Sequence, residues 1–268
     1  MTKSRVFMIK MITVVLMGTY SFIGFSQSIV NTEKLFKENK NGFSFSSEIN
    51  GNLIYGNANI SILRFSLNSG YFKDKWSLKF LSGGQNIVQE NDNLNTSLFS
   101  QLRFNYFIRQ DFRFISFFQL QSNNILLLNR RALGGLGLRK NLIEVSDSSV
   151  KINFDGTFGI IQEQEILNGT DLTSQENENL ETNYLRSSFV LNVLLEIKDK
   201  ITLINTTYLQ QRFVDLKDYR ILNEVNLNIP ISKSLTITFD FEFRFDSKPP
   251  SILGNKDFNT TAGIRYTY

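Results

Sequence analysis

Cysteine and histidine are both missing from this sequence of 268 residues, and proline occurs only three times. Without cysteine there is no disulfide, thiol nucleophile or thiolate metal ligand. Without histidine the chain lacks the imidazole base of serine hydrolases and the usual nitrogen ligand of zinc sites. These absences exclude the common hydrolase and metalloenzyme designs. We therefore predict that the chain is not an enzyme, and expect no catalytic residue, metal or cofactor.

Residues 1–26 have the composition of a secretory signal peptide. Three basic residues lie among the first ten, an apolar run fills residues 11–18, and small residues follow up to Ser26. This order is typical of a leader that is removed after export, and an uncleaved anchor helix is the alternative. We predict cleavage after Ser26, a short periplasmic segment at residues 27–41 and one domain at residues 42–268.

The net positive charge comes mostly from that leader. The chain has 29 Lys and Arg against 25 Asp and Glu, and three of the basic residues precede Ser26. The other basic residues are spread along the chain and form no basic stripe. We therefore expect no nucleic-acid partner.

From residue 42 onward, apolar and polar residues alternate. In the sharpest run, Phe239, Phe241 and Phe243 share one face and Asp240 and Glu242 share the other. A period of two is the period of a β-strand. We predict about twelve strands, at residues 43–53, 62–72, 76–83, 98–107, 112–121, 131–138, 150–162, 184–197, 201–213, 220–229, 235–246 and 257–268.

The apolar faces and the connections favour a membrane barrel. Rows of phenylalanine oppose charged residues over a membrane-crossing length, and short charged turns such as residues 73–75 and 109–111 alternate with longer polar loops. Transmembrane barrels have short periplasmic turns, longer external loops and an even number of strands. We predict an all-β, antiparallel transmembrane β-barrel in a Gram-negative outer membrane. Longer loops are expected at residues 85–95, 121–130, 164–182 and 247–256.

Aromatic residues fall near the periplasmic ends of the predicted strands. Trp76, Tyr106, Tyr266 and Tyr268 are expected to form an interfacial girdle. A last strand that ends in an aromatic residue also fits recognition by the barrel-insertion machinery. The partners expected are outer-membrane lipid, lipopolysaccharide and that machinery, and the oligomeric state stays open.

Two parts of the chain resemble a known family. Residues 243–250, followed by residues 256–257 and 263–268, resemble the C-terminal signature of the YdiY-like, salt-stress-induced outer-membrane proteins. Residues 131–139 resemble the central glycine-rich strand of that family. The resemblance covers the chain from Gly42 to its end and implies an outer-membrane barrel with a role in stress response. It brings no known substrate or catalytic residue, because the family's function is unknown.

The inner face of such a barrel carries the candidate site. Charges there either line water and set ion selectivity or pair across the lumen and fill it, and both interpretations stay open. The strands from Arg64 to Arg139 contribute only positive charges, whereas Asp240 and Glu242 place carboxylates on the other side of the lumen. This separation predicts an electric field across the lumen. The predicted lumen charges are Arg64, Arg103, Arg113, Arg139, Arg186, Arg220, Glu224, Asp240, Glu242, Arg244 and Arg265.

Three functions fit these patterns. The first is a porin-like narrow channel for small hydrophilic solutes or ions, and the second is a non-conducting, envelope-stabilising barrel with a filled lumen. The third, less favoured, is a soluble secreted β-sandwich or lipocalin-like binder.

Two further patterns are interpreted structurally. The glycine-rich run at residues 134–137 is strand rather than a phosphate cradle, because no helix or P-loop lysine follows it. The acidic residues of the longest loop, Asp171, Glu176, Glu178 and Glu181, are expected to be solvated rather than metal ligands.

Overall fold

The fold is an assembly of twelve antiparallel strands. The computed structural model describes residues 41–54, 60–89, 92–124, 126–168, 180–198, 200–249 and 254–267. The strands are β1 (Gly42–Ile54), β2 (Ile60–Lys73), β3 (Trp76–Gln89), β4 (Asp92–Arg109), β5 (Phe112–Asn123), β6 (Leu128–Ser146), β7 (Val150–Leu167), β8 (Glu181–Ile197), β9 (Ile201–Arg212), β10 (Tyr219–Pro230), β11 (Leu235–Asp246) and β12 (Lys256–Thr267). Among the described residues, no helix is long and apolar enough to cross a membrane. The predicted signal peptide, nearly all of the periplasmic segment, and Tyr268 lie outside these residues.

The strands close into one barrel in which each strand pairs with its sequence neighbours and β1 pairs with β12. A closed sheet leaves no edge of unpaired backbone groups, which hydrocarbon would not tolerate. Both described ends of the chain lie at one end of the barrel, which we call the terminal end. It carries the turns at residues 74–75, 110–111, 147–149, 198–200 and 231–234. The opposite end, which we call the loop end, carries the other connections.

Side chains alternate between the two faces of the sheet. On β11, Asp240 is 7% exposed whereas Phe241 is 41% exposed. On β10, Arg220, Leu222 and Glu224 are buried and the residues between them are half-buried. In a closed sheet the buried row points into the lumen, so the exposed phenylalanines and leucines point outward. This arrangement excludes a sandwich with an apolar core and confirms the predicted barrel.

The strand ends differ from the prediction. β3 continues to Gln89 and β4 begins at Asp92, so the predicted loop at residues 85–95 was wrong. β6 and β7 also extend well beyond the predicted runs at residues 131–138 and 150–162. The physical reason is the polar inner face, which gives the strand ends a loop-like composition although their backbone groups are paired.

Candidate functional site: the barrel lumen

A cluster of buried ion pairs lies inside the barrel near its loop end. Its centre is Glu163 on β7, whose side chain is 0% exposed. Glu163 accepts hydrogen bonds from Arg131 Nε at 3.1 Å, from Arg186 Nε at 3.1 Å and from Arg220 Nη1 at 2.9 Å. We call the whole cluster the ionic network; its members are Arg131, Glu163, Glu165, Arg186, Arg212, Asp218, Arg220 and Asp246.

The ionic network crosses the lumen. Arg220 on β10 contacts Glu163 on β7, so this ion pair spans β8 and β9. Arg220 Nε also lies 2.8 Å from Asp246 Oδ2, and Arg186 Nη1 lies 2.7 Å from Asp218 Oδ1. Equal numbers of arginines and carboxylates leave the cluster neutral. Charge-assisted hydrogen bonds between buried side chains make such a network rigid, and the network narrows the lumen at this end.

Two connections at the loop end, next to the ionic network, are held together by side-chain contacts. Lys248, between β11 and β12, pairs with Asp215, between β9 and β10. Ser247 Oγ donates a hydrogen bond to the carbonyl of Lys217 at 2.7 Å. The hydrogen bond from Lys248 holds the pKa of Asp215 below its ordinary value, and the same contact raises the pKa of Lys248. The network and these contacts together hold residues 215–218 against residues 247–248.

Basic residues line the wall formed by β3 to β6, nearer the terminal end. Lys79 lies directly opposite Arg103 across β3 and β4, and Arg113 lies directly opposite Arg139 across β5 and β6. Lys79, Arg103 and Arg139 are each less than a tenth exposed, at 7%, 6% and 7%. We call these four residues the cation wall.

Polar and aromatic neighbours orient the cation wall. Arg103 Nε donates a hydrogen bond to Gln101 Oε1 at 3.1 Å. The Arg113 guanidinium carbon lies 5.3 Å from the centroid of the Phe107 ring. Arg139 Nη2 lies 2.7 Å from Asp155 Oδ2.

Carboxylates lie on the opposite side of the barrel. Glu224 on β10 is directly opposite Glu242 on β11, and Asp240 is buried beside them. In a ring of twelve strands, β10 and β11 stand six places from β4 and β5, so they lie across the lumen. Asp240 accepts a hydrogen bond from Asn226, and Glu242 Oε1 lies 2.8 Å from Arg244 Nη2.

Two other predicted lumen residues complete the described set. Arg64 on β2 donates hydrogen bonds to Gln85 on β3 and to Thr261 on β12. Arg265 on β12 pairs with Glu48 on β1 and donates to Asn228 Oδ1 at 2.9 Å. The structure therefore distributes the predicted charges among several local clusters instead of one.

Three of the four predicted aromatic residues, Trp76, Tyr106 and Tyr266, lie at the terminal end, and Tyr268 is outside the described residues. Trp76 is directly opposite Tyr106 across β3 and β4, and Tyr106 and Tyr266 are 43% and 48% exposed. Tyr71, which the sequence did not single out, packs against Trp76 with the ring centroids 5.7 Å apart. These rings share the outer face with the exposed leucines.

Sequence reasoning missed six members of the ionic network, among them Arg212 at the end of β9. Glu163 and Glu165 follow Ile161 in strict alternation on β7, so a longer strand would have placed them inside. Arg131 starts the predicted strand that holds Arg139 and shares its face. Asp246 ends β11, and Asp218 lies in a connection where alternation gives no signal. Of the loop carboxylates, Asp171, Glu176 and Glu178 lie outside the described residues.

A comparison of the sequence with known families decides the classification. Residues 48–268 match a family whose description reads "Protein of unknown function, DUF481". The chain belongs to this family. DUF481 membership is consistent with the resemblance to the YdiY-like proteins, and no curated protein matches the chain.

Several solved structures are similar to this chain. This DUF481 member is similar to the NanC porin, with 10% sequence identity, a TM-score of 0.51, and coverage of 83% of this chain and 99% of that one. It is also similar to the KdgM porin, at 9% identity and TM-score 0.43, covering 84% of this chain and 99% of that one. LpxR from Salmonella typhimurium matches at 8% identity and TM-score 0.47, covering 84% of this chain and 100% of that one. The NanC similarity shows the fold of an outer-membrane barrel.

Proposed function

We propose that this chain is a narrow passage for small hydrophilic solutes or ions in a Gram-negative outer membrane. The closed sheet and the apolar outer face support a place in a bilayer. In this proposal the outer face contacts outer-membrane lipid, including lipopolysaccharide. The lack of histidine and cysteine in the sequence supports a passage rather than an enzyme.

The separation of charge across the lumen carries the proposal. The sequence of β2 to β5 has one acidic residue, Asp92. Like charges placed directly opposite each other on a sheet are destabilising, so the pair of Lys79 and Arg103 is a poor choice for structural filling. With Glu224 and Glu242 across the lumen, they set up a transverse field that acts on passing ions. The basic residues of β2 to β5 are Arg64, Lys73, Lys79, Arg103, Arg109 and Arg113.

Planar-bilayer recording tests the proposal. We expect discrete conductance steps from the purified protein. Under a KCl gradient, we expect the reversal potential of Arg103→Glu to shift toward cation preference. Lys140→Glu is the matched control, because Lys140 is exposed and neighbours Arg139 on the same strand. The proposal fails if heat-modifiable, folded protein gives no steps, or if both variants shift the potential equally.

The ionic network supports a second candidate, the non-conducting barrel with a filled lumen. Except for Arg212, its side chains are at most 6% exposed. If this network seals the lumen, the wild-type protein is silent in the bilayer. Truncating Glu163 and Arg220 together to alanine then produces conductance. Silence of this double variant as well would leave only the structural role.

A further inference from the structure

A cavity of about 70 Å³ lies on the inner face of the sheet, between the cation wall and the ionic network, and is partly open to the rest of the lumen. Residues from β4 to β9 line it, and Arg103 and Arg131 belong to its two charged borders. Between these borders the lining is mainly apolar and includes Ile115, Leu133 and Val190, which are 6%, 5% and 7% exposed. Polar residues such as Gln119, Thr157 and Ser188 also line it. The lumen therefore contains a mainly apolar compartment bounded by arginines.

Glycines in β6 and β7 border this space. Gly137 and Gly159 lie directly opposite each other and both line the cavity, so no side chain projects into it at these two positions. A Cβ atom at Gly159 would lie 2.7 Å from the carbonyl oxygen of Leu136, so this pair also lets the two backbones approach closely. At Gly135 a Cβ atom would lie 2.2 Å from the Phe117 ring, so the ring occupies the place of a side chain on β6. The lining therefore has no side chain at Gly137 and Gly159, whereas the place beside Gly135 is filled by Phe117.

An unpartnered polar atom borders the cavity. Gln210 on β9 lines it and is 4% exposed, and its Oε1 atom has no hydrogen-bond partner in the described part of the chain. A buried acceptor of this kind calls for a donor from an occupant of the cavity. On the other side of the lining, Gln101 holds the guanidinium of Arg103 through the hydrogen bond at 3.1 Å. A guanidinium group held in a fixed orientation can bind a carboxylate.

We propose that this cavity binds a small organic acid with a compact apolar body and a hydroxyl group. The apolar walls contact the body, Arg103 binds the carboxylate, and Gln210 Oε1 accepts a hydrogen bond from the hydroxyl. This site goes beyond the proposed passage, because binding in the wall requires no conduction. A protein that binds the acid but does not conduct ions would support this site and contradict the passage. A protein that conducts ions but does not bind the acid would do the reverse.

Equilibrium dialysis of the purified full chain in detergent tests the site with three probes. 4-Hydroxybenzoate has all three features, benzoate lacks the hydroxyl and phenol lacks the carboxylate. We expect saturable binding of 4-hydroxybenzoate, and binding of each other probe weaker by about fivefold or more, since each loses one hydrogen-bonded group. No saturable binding, or equal affinity for the three probes, would overturn the proposal and leave a cavity that holds water.

Two variants locate the binding to this cavity. Val190→Phe fills it and is expected to abolish binding, whereas Val193→Phe, on the outer face of the same strand, leaves binding unchanged. Gln210→Leu is expected to lower the affinity for 4-hydroxybenzoate about fivefold and to leave the affinity for benzoate unchanged. Heat-modifiable migration shows which variants fold. If Val190→Phe does not fold, Gln210→Leu decides, and an equal loss for both probes would contradict the site.

Discussion

Replacing Glu163 by glutamine tests whether the ionic network stabilises the barrel. The carboxylate is 0% exposed and faces three arginines. Removing one partner of a buried ion pair costs about 3–5 kcal/mol. Arg131 keeps Glu165, Arg220 keeps Glu165 and Asp246, and Arg186 keeps Asp218, so each retains a carboxylate. We therefore expect a loss near the lower limit, about 3 kcal/mol in the free energy of unfolding.

Urea unfolding of the barrel in lipid vesicles measures this loss. The sequence contains one tryptophan, Trp76, whose fluorescence reports the transition. Glu144→Gln is the matched control: Glu144 is 57% exposed at its side chain and lies 3.7 Å from Lys151, so its loss is expected to cost at most about 1 kcal/mol. If Glu163→Gln costs no more than Glu144→Gln, the network does not stabilise the fold and the reasoning is refuted.

Two other contacts give sharp predictions. Gly135→Ala places a Cβ atom 2.2 Å from the Phe117 ring and is expected to lower the free energy of unfolding in urea by about 1–3 kcal/mol. Adding Phe117→Ala should recover part of this loss. No recovery in the double variant would contradict the contact. The pKa of Asp215 is lowered by Lys248, so their contact stabilises the loop end at neutral pH and is lost as the pH falls through that lowered pKa. In Lys248→Met, the pKa of Asp215 measured by NMR should rise toward its ordinary value, and an unchanged pKa would disprove the link.

The alternation of residue types was sufficient to predict all twelve strands. Lipid outside and charge inside impose a period of two on every strand, and the row from Phe239 to Phe243 shows both faces in one segment. The strand ends were not predictable in this way, because a polar inner face and a polar loop have the same composition. Glu163 therefore fell just outside its predicted strand.

Contacts across the lumen could not be predicted from the sequence. The pair of Arg220 and Glu163 joins strands that are three places apart, and it depends on the stagger of the whole sheet. Asp218 belongs to a connection, where position follows from the loop backbone and not from a repeat. The side of the barrel that carries each charge was predictable, whereas its partner was not.

Thiol labelling along β11 tests most directly the claim that a polar, water-filled lumen lies inside an apolar wall. The sequence has no cysteine, so single cysteines introduced in turn at Phe239, Asp240, Phe241, Glu242 and Phe243 give a clean signal in lipid vesicles. A membrane-impermeant, water-soluble reagent is expected to modify the cysteines at Asp240 and Glu242 and to spare those at the three phenylalanines. Modification of the phenylalanine positions, or no modification at Asp240 and Glu242, would contradict the account.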